Sequence, residues 1–411
     1  MQYRMDGKSG NRLSVLGFGC MRFPRKGTSI DMGKTERLIM EAVNRGVNYF
    51  DTAYIYGGSE EALGHVLEKN KVRDKVFIAT KLPLILARTP ADFDRFFNKS
   101  LERLRTDRID YYLLHMLTGR RQWEKFRDMG IEEWIAEQKK AGRIDRAGFS
   151  FHGSQEEFIR LLDVYDWEFC QIQYNYAQEN YQAGKTGLLK AAAKGLPVIV
   201  MEPLLGGKLA AALPRQAEEV FRASGKKAAE RALRWVWNHK EATVVLSGMN
   251  DPAQLEENLL AAEDALPGSL TAGEQEAYRR VMEIFGASYK IPCTGCNYCM
   301  PCPQHVNIPG CFAAYNTSFA LGWVQGMQQY VTSATLTAEQ AGGSGLCVKC
   351  GKCESRCPQH IPVVKSLEAV RKRMEPLPFR GILGIIRTVL GHSKGKIGSP
   401  ARQFRERNQG A

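Results

Sequence analysis

The chain has 411 residues, of which 44% are hydrophobic and 25% charged, and its formal net charge is +13. This length allows one large domain and a second, smaller one. No run of about 18 apolar residues is present, which argues against a membrane-spanning helix. Much of the positive charge lies in residues 365–411, with 11 basic and three acidic residues. The remaining chain is only mildly basic, which argues against a nucleic-acid-binding enzyme.

The first 260 residues read as alternating strands and helices. A predicted N-terminal hairpin, turned by Asp-Gly and Gly-Asn pairs, precedes eight apolar segments. Most are continuous runs, as in parallel strands buried on both faces. They are Val15–Gly19, Asn48–Ala53, Val76–Leu82, Tyr111–Met116, Arg146–Phe151, Phe169–Asn175, Pro197–Leu204 and Thr243–Met249. Eight strand–helix units over roughly 250 residues predict an α/β fold, a (β/α)8 TIM barrel. A doubly wound sheet is the alternative, but no Gly-x-Gly-x-x-Gly follows the first strand.

Polar side chains lie at the carboxyl ends of these strands, where barrels of this type place reactive groups. Asp51 ends the second strand and Tyr56 follows in its loop, while Lys81 and His115 end the third and fourth. Each alone fits a structural role, with Asp51 and Lys81 as a buried ion pair, His115 as a core histidine and Tyr56 as a loop aromatic. All four together at strand ends favour a catalytic site.

The segment Phe-Asp-Thr-Ala-x-x-Tyr-Gly at 50–57, with Leu-Gly-Phe-Gly-Cys-Met-Arg at 16–22, resembles the aldo-keto reductase family from Leu13 to Asn258. The resemblance implies an oxidoreductase that reduces an aldehyde or ketone with a nicotinamide cofactor. It implies that Tyr56 donates the proton, Lys81 lowers the pKa of that tyrosine, Asp51 holds Lys81, and His115 orients the carbonyl.

The resemblance also implies a nicotinamide-cofactor site formed from the later strands. The matching positions are Ser150 and Gln171 at the carboxamide, Ser247 and Gly248 at the end of the eighth strand, and Glu257 and Asn258 at the adenine. The helix that begins near Asp251 would present its N-terminus to a phosphate.

Three positions depart from the family pattern. After Ser150, where the family has an asparagine, this chain has Phe151. Where the family has a tyrosine that stacks on the nicotinamide, this chain has Met201. The basic residue that grips a 2′-phosphate is missing from 249–254, although Lys208 is a substitute candidate. The cofactor is therefore NADP(H) or NAD(H).

Eight of the chain's 11 cysteines lie in two short runs near the C-terminus. Each run reads Cys-x-x-Cys-x-x-Cys followed by Cys-Pro, and each continues with Gln-His, so the runs form an internal repeat. This is the pattern of ferredoxins with two [4Fe–4S] clusters.

Two other uses of these cysteines are less consistent with the sequence. Zinc prefers two Cys-x-x-Cys pairs with a longer spacer, which these runs do not match. Disulfides require an oxidising compartment. The N-terminus lacks an apolar signal segment, so the sequence predicts a cytoplasmic protein, in which disulfides are not expected.

In two-cluster ferredoxins the fourth cysteine of each run ligates the cluster of the other run. This predicts one cluster on Cys293, Cys296, Cys299 and Cys357, and a second on Cys347, Cys350, Cys353 and Cys302. Only two residues separate Cys299 from Cys302, where three are usual, so Cys311 is the alternative fourth ligand of the second cluster. The other interpretation of Cys311 is a small apolar residue on a helix face.

We therefore expect a barrel at 1–286, a smaller, mainly helical ferredoxin-like iron–sulfur domain at 287–375 and a basic tail at 376–411. The expected substrate is a small carbonyl compound. The clusters are expected to serve structure, redox sensing or electron transfer, and in the last case the redox partner is a flavoprotein or a ferredoxin. The tail is a candidate contact for a membrane surface or a partner; the other interpretation is a helix packed on this protein, followed by a solvated basic end. The alternative is an electron-transfer module whose barrel does not reduce carbonyls, with the clusters serving a partner redox protein.

Overall fold

The structure, a computed structural model, describes residues 1–211, 213–222, 225–320, 322–331 and 342–376. The chain divides into two compact units, Met1–Gly286 and Ala287–Ala411. Beyond its first residue, the predicted tail at 376–411 lies outside the described residues. Within the described ranges, no helix is both long and apolar enough to cross a membrane.

Eight parallel strands close into a barrel in the first unit; consecutive strands are hydrogen-bonded to each other, and the last strand pairs with the first. They are β3 (Leu16–Gly19), β6 (Tyr49–Asp51), β7 (Phe77–Leu82), β8 (Ile109–Leu117), β9 (Ile144–Phe151), β10 (Phe169–Gln173), β11 (Val198–Met201) and β12 (Ala242–Ser247). Two antiparallel pairs lie outside the barrel: β1 (Tyr3–Met5) with β2 (Arg12–Ser14), and β4 (Arg25–Lys26) with β5 (Ser29–Ile30). The strands coincide with the predicted segments within a few residues, so the (β/α)8 prediction is confirmed.

Strand periodicity explains why the polar residues point into the barrel. Tyr49, Ala79 and Leu113 belong to a buried cluster contributed by the barrel strands. Alternate residues of a strand share a face, so the side chains two positions further along, at 51, 81 and 115, point to the same interior. The apolar residues fill the barrel below them, which places the polar set at the carboxyl ends of the strands.

Helices separate the strands as predicted. Those of the first unit are α1 (Met32–Asn44), α2 (Ser59–Lys69), α3 (Ala91–Leu104), α4 (Arg120–Arg127), α5 (Ile131–Lys140), α6 (Gln155–Leu161), α7 (Gly184–Ala193), α8 (Lys208–Ala211), α9 (Arg215–Arg222), α10 (Ala228–Trp237), α11 (Pro252–Ala261) and α12 (Ala272–Ser288). Side-chain hydrogen bonds cap the N-termini of several of these helices. Before α12, the Thr271 hydroxyl accepts from the Glu274 N–H and the Glu274 carboxylate accepts from the Thr271 N–H, a complete capping box.

The described part of the second unit is helical and contains no strand. Its helices are α13 (Ile308–Ala320), α14 (Trp323–Val331) and α15 (Val363–Met374). Their apolar faces form one core that includes Val306, Phe312, Tyr330, Leu367 and Val370, and cysteines of both runs pack against it. The prediction of a smaller, mainly helical C-terminal domain is confirmed.

Candidate active site and iron–sulfur sites

The structure brings the four predicted catalytic residues together at the carboxyl end of the barrel. Asp51 is the last residue of β6, while Lys81 and His115 lie near the ends of β7 and β8. All three are buried, with exposures of 5%, 1% and 5%. Tyr56 is half-buried in the loop before α2. The site therefore combines a buried ion pair with a tyrosine that is accessible from solvent.

The Lys81 ammonium is held by three oxygen atoms. Its Nζ donates to Asp51 Oδ1 at 2.7 Å, to Asp51 Oδ2 at 2.8 Å and to the Thr52 carbonyl at 2.7 Å. An ammonium has three donors, so these contacts use all of them. Burial of a charge is tolerated when it is paired and hydrogen-bonded. The positive charge of Lys81 is therefore fixed at the end of β7.

Tyr56 and His115 lie beside this ion pair. The Lys81 Nζ is 5.4 Å from the centroid of the Tyr56 ring. The Tyr56 and His115 rings meet edge to face, with centroids 6.0 Å apart and planes at 81°. Burial, with further contributions from Lys81 and His152, holds the pKa of His115 well below its usual value. His115 is therefore a neutral imidazole at neutral pH and can donate one hydrogen bond.

Two residues predicted to bind the carboxamide also contact Asp51 and the backbone beside His115. Gln171 and Ser150 pair in register on the adjacent strands β10 and β9. The Gln171 side-chain amide donates to Asp51 Oδ1 at 2.9 Å. The Ser150 hydroxyl accepts from the Met116 N–H at 2.8 Å, directly after His115. Sequence reasoning missed both supporting contacts, because each depends on which side chains face each other in the closed barrel, across 120 residues for Gln171 and 34 for Ser150. Their carboxamide role stays a prediction.

The residues predicted to contact the adenosine half lie at the end of β12 and on α11. Asn258 Nδ2 donates to the Ser247 hydroxyl at 2.9 Å, and both side chains are buried. Glu257 is more exposed and pairs with Lys227, with 3.0 Å between carboxylate and ammonium. The Asp251 carboxylate accepts from the Ala253 N–H. The N-terminus of α11 therefore already carries an anionic cap, which competes with a phosphate at the same helix end.

A cation that sequence reasoning missed lies next to the glycine after β12. A Cβ built on Gly248 would lie 3.7 Å from the Arg22 Cβ and 3.8 Å from its Cδ. The Arg22 guanidinium donates to the Gly206 carbonyl at 3.0 Å. The loop after β3 thus brings an arginine to the region where the 249–254 segment has no basic residue. Sequence alone offered no signal for this contact across more than 200 residues.

The buried ion pair makes a first testable prediction. Asp51→Ala leaves the Lys81 ammonium buried without its carboxylate, so we expect the free energy of unfolding to fall by about 3–5 kcal/mol. Chemical denaturation followed by circular dichroism measures it. The double variant Asp51→Ala/Lys81→Met should recover most of the loss. Glu102→Ala, which breaks an exposed pair with Lys99, is the control and should cost under about 1 kcal/mol. Equal losses for the buried and exposed pairs would contradict this assignment.

Four cysteines line one pocket of the second unit. They come from both runs and are the set predicted from the sequence: Cys293, Cys296, Cys299 and Cys357. Burial raises the pKa of the Cys299 thiol, and the other three cysteines add to the rise. The cross-over of Cys357 to the first run therefore exists in the fold, and the role of the four as ligands stays a prediction.

Two members of the other predicted set, Cys347 and Cys302, lie near a third, Cys353. Partial burial raises the pKa of its thiol to about 11, and Cys347 and Cys302 are among the neighbours that contribute. Cys302 thus lies near the second run despite its short spacing, and Cys350 is exposed. Cys311 is fully buried on α13 in the apolar core, which favours its interpretation as a packing residue. In the described ranges, no three His, Cys, Asp or Glu side chains converge closely enough to hold a single metal ion.

The two runs share an unusual backbone path. Three pairs of equivalent residues have positive φ: Gly295 and Lys349, Asn297 and Gly351, and His305 and His360. In both runs the histidine N–H donates to the carbonyl of the cysteine three positions earlier, and a helix begins three residues later. The repeat seen in the sequence is therefore also a repeat of conformation.

Comparison with known proteins gives two family matches. Residues 15–269 match the model of the aldo/keto reductase family, and residues 292–361 match that of a 4Fe-4S dicluster domain. One relative is the "Uncharacterized oxidoreductase YrpG" of Bacillus subtilis, 26% identical over 69% of this chain and 96% of that protein. Another is the "6-dehydroglucose reductase" of Novosphingobium aromaticivorans, 26% identical over 62% of this chain and 88% of that protein.

The fold comparison agrees with the sequence comparison. The structure of aldo-keto reductase AKR11C1 from Bacillus halodurans, in its holo form, superposes with a TM-score of 0.54 at 26% identity. The match covers 68% of this chain and 96% of that one. The matched family model spans more than half of the 411 residues. The chain therefore belongs to the aldo/keto reductase family and carries a C-terminal 4Fe-4S dicluster domain.

Proposed function

We propose that the barrel reduces the carbonyl group of a small aldehyde or ketone with a nicotinamide cofactor. The observation that carries this proposal is the buried Asp51–Lys81 pair beside Tyr56 and His115 at the carboxyl end of the barrel. The relative named 6-dehydroglucose reductase supports a carbonyl substrate. The same arrangement suits the reverse reaction, alcohol oxidation, because Tyr56 would then accept the proton that it donates during reduction.

The cofactor, when bound, supplies a hydride to the carbonyl carbon, and the oxygen of the substrate gains negative charge. Tyr56 donates its phenolic proton to that oxygen, which completes the alcohol, and then regains a proton from water. A free tyrosine has a pKa of about 10, too high for an efficient acid at neutral pH. The fixed charge of Lys81 favours the phenolate and so lowers the cost of proton release.

The remaining residues position and polarise the substrate. His115 is neutral, so it donates a hydrogen bond to the carbonyl oxygen without a competing positive charge. Asp51 holds Lys81, and the Gln171 side chain donates to the same Asp51 carboxylate. Ser150 fixes the backbone directly after His115. This network keeps the Lys81 ammonium and the backbone beside His115 in place before the substrate arrives.

Deuterium transfer tests this proposal directly. Protein is incubated with an aldehyde and with NADPH or NADH that carries deuterium at C4 of the nicotinamide, using both C4 stereoisomers. We expect the alcohol to carry deuterium at the former carbonyl carbon with one stereoisomer of the cofactor. Alcohol formation without deuterium in any arm would contradict direct hydride transfer, and no alcohol from a broad aldehyde panel would contradict carbonyl reduction.

Cofactor choice gives a second prediction. The 249–254 segment has no basic residue and the Asp251 carboxylate caps α11, so a 2′-phosphate would find little additional attraction there. We expect the dissociation constants of NADPH and NADH to lie within about tenfold of each other, a difference under about 1.4 kcal/mol. Fluorescence titration measures both constants. A preference for NADPH above a hundredfold would contradict this placement of the site, and Arg22→Ala would then show whether Arg22 supplies the missing charge.

We further propose that the second unit holds two [4Fe–4S] clusters. The pocket lined by four cysteines of both runs suits a cube that is ligated from several sides. Bound clusters supply one-electron transfer. The residues of this chain that would hold them are the two predicted cysteine sets, with Cys302 rather than Cys311 as the fourth ligand of the second cluster.

One-electron clusters and a hydride cofactor do not exchange electrons directly without a mediator such as a flavin. We therefore propose that the clusters serve a separate redox partner, a flavoprotein or a ferredoxin. A second candidate function is an electron-transfer module whose barrel does not reduce carbonyls. The anionic cap on α11 favours it, because a carboxylate there weakens phosphate binding.

A further inference from the structure

A buried hydroxyl lies in the pocket that is lined by four cysteines. Thr294 follows Cys293 directly, lines the same pocket and is 4% exposed. In the described part of the protein, its Oγ1 has no hydrogen-bond partner. A buried polar group left unsatisfied costs about 1–3 kcal/mol. The hydroxyl is therefore placed to donate to a group that occupies the pocket.

The second run lacks this hydroxyl. The shared backbone path aligns Gly295 with Lys349 and Asn297 with Gly351, which places Val348 at the position equivalent to Thr294. Valine has nearly the shape of threonine but carries no donor. Val348 is also 60% exposed. The two cysteine sites therefore differ at this position by a hydroxyl and by its burial.

We propose that the Thr294 hydroxyl donates a hydrogen bond to a sulfur of the cluster held by the first cysteine set, and that this bond raises the reduction potential of that cluster. Reduction adds one electron and hence negative charge to the cluster, and a hydrogen-bond donor stabilises the more negative form. Hydrogen bonds to the sulfurs are among the factors that set cluster potentials. The buried pocket strengthens the effect, because electrostatic interactions are larger at low dielectric.

This inference rests on the proposed function, since it requires bound clusters, but it concerns a different quantity. It predicts that an electron delivered by a one-electron partner is held more firmly at the first cluster than it would be without the hydroxyl. The difference in solvent exposure between the two sites also affects their potentials. The test therefore compares one cluster with itself across variants.

The test uses the full chain loaded with iron and sulfide under anaerobic conditions. Wild type and Thr294→Val are titrated with a reductant and followed by electron paramagnetic resonance, with iron determined on the same samples. We expect unchanged iron, one unchanged potential, and one cluster whose reduction equilibrium constant falls about tenfold, which corresponds to about 59 mV for one electron. Thr294→Ser keeps the hydroxyl and should restore the wild-type value.

Two further variants and a second spectroscopic measurement serve as controls for this test. Val348→Thr adds a hydroxyl at an exposed position and should change neither potential. Thr294→Ala is a second variant without the hydroxyl if the valine variant loads poorly. Electron–nuclear double resonance in D2O should detect an exchangeable hydrogen near one cluster in wild type that Thr294→Val lacks. Two unchanged potentials at full iron content would overturn the proposal. Wild type without cluster signals would instead overturn the cluster assignment on which it rests.

Discussion

Replacement of Tyr56 by phenylalanine should lower kcat for aldehyde reduction by about 10²–10⁴-fold, the usual contribution of a positioned general acid. The phenylalanine ring keeps the edge-to-face contact with His115, so substrate binding should change far less than turnover. Steady-state kinetics with NADPH or NADH and a reactive aldehyde measures both parameters. Reduction of the clusters by an artificial one-electron donor should be unaffected, because the substitution lies in the barrel.

A neighbouring tyrosine provides the matched control for this experiment. Tyr54 lies in the same loop, and its ring packs against Phe96 and Arg103. Tyr54→Phe removes an equivalent hydroxyl and should keep turnover within about twofold, as expected for a group outside the chemistry. A Tyr56→Phe variant with near wild-type turnover would remove Tyr56 from the mechanism. It would also move the electron-transfer interpretation ahead of carbonyl reduction.

The second large effect concerns iron. Cys350→Ala should lose roughly half of the iron, because it removes one thiolate from the second predicted set and leaves the first set intact. Iron and sulfide determination, with the visible absorption of the loaded protein, measures the loss. Unchanged iron content would contradict the role of Cys350 as a ligand. Loss of all iron would contradict independent assembly of the two clusters.

The same measurement decides between Cys302 and Cys311 as the fourth ligand. Cys302 lies near Cys353, whereas Cys311 is buried in the helical core. Cys302→Ala should therefore lower the iron content or weaken the second cluster, and Cys311→Ala should keep the wild-type content. The reverse result would show that the short spacing after Cys299 prevents Cys302 from reaching the second cluster.

The barrel could be predicted from sequence because its strands are buried on both faces. A parallel strand of this kind reads as a continuous apolar run, and a polar residue at its end stands out. Asp51, Lys81 and His115 stand out in this way, and the structure places all three in one site. The position of Cys357 beside the first run is equally predictable from the repeat spacing, and its role as a cluster ligand stays a prediction.

Contacts between distant segments could not be predicted in the same way. The bond from Gln171 to Asp51 depends on which side chains face each other across the barrel. The approach of Arg22 to Gly248 joins two loops more than 200 residues apart. The burial of Thr294 depends on the packing of both cysteine runs against one helical core. Each follows from three-dimensional packing and leaves no periodic signal in the chain.

The most direct test of the central claim is an anaerobic titration of the cluster-loaded protein with NADPH and with NADH, in the presence of a test aldehyde. Visible absorption and electron paramagnetic resonance report the clusters, and product analysis reports the alcohol. We predict that the aldehyde is consumed while the clusters stay oxidised, because hydride transfer in the barrel requires no one-electron step. Clusters that become reduced while the aldehyde remains would contradict this account, and so would a titration in which neither the clusters nor the aldehyde react.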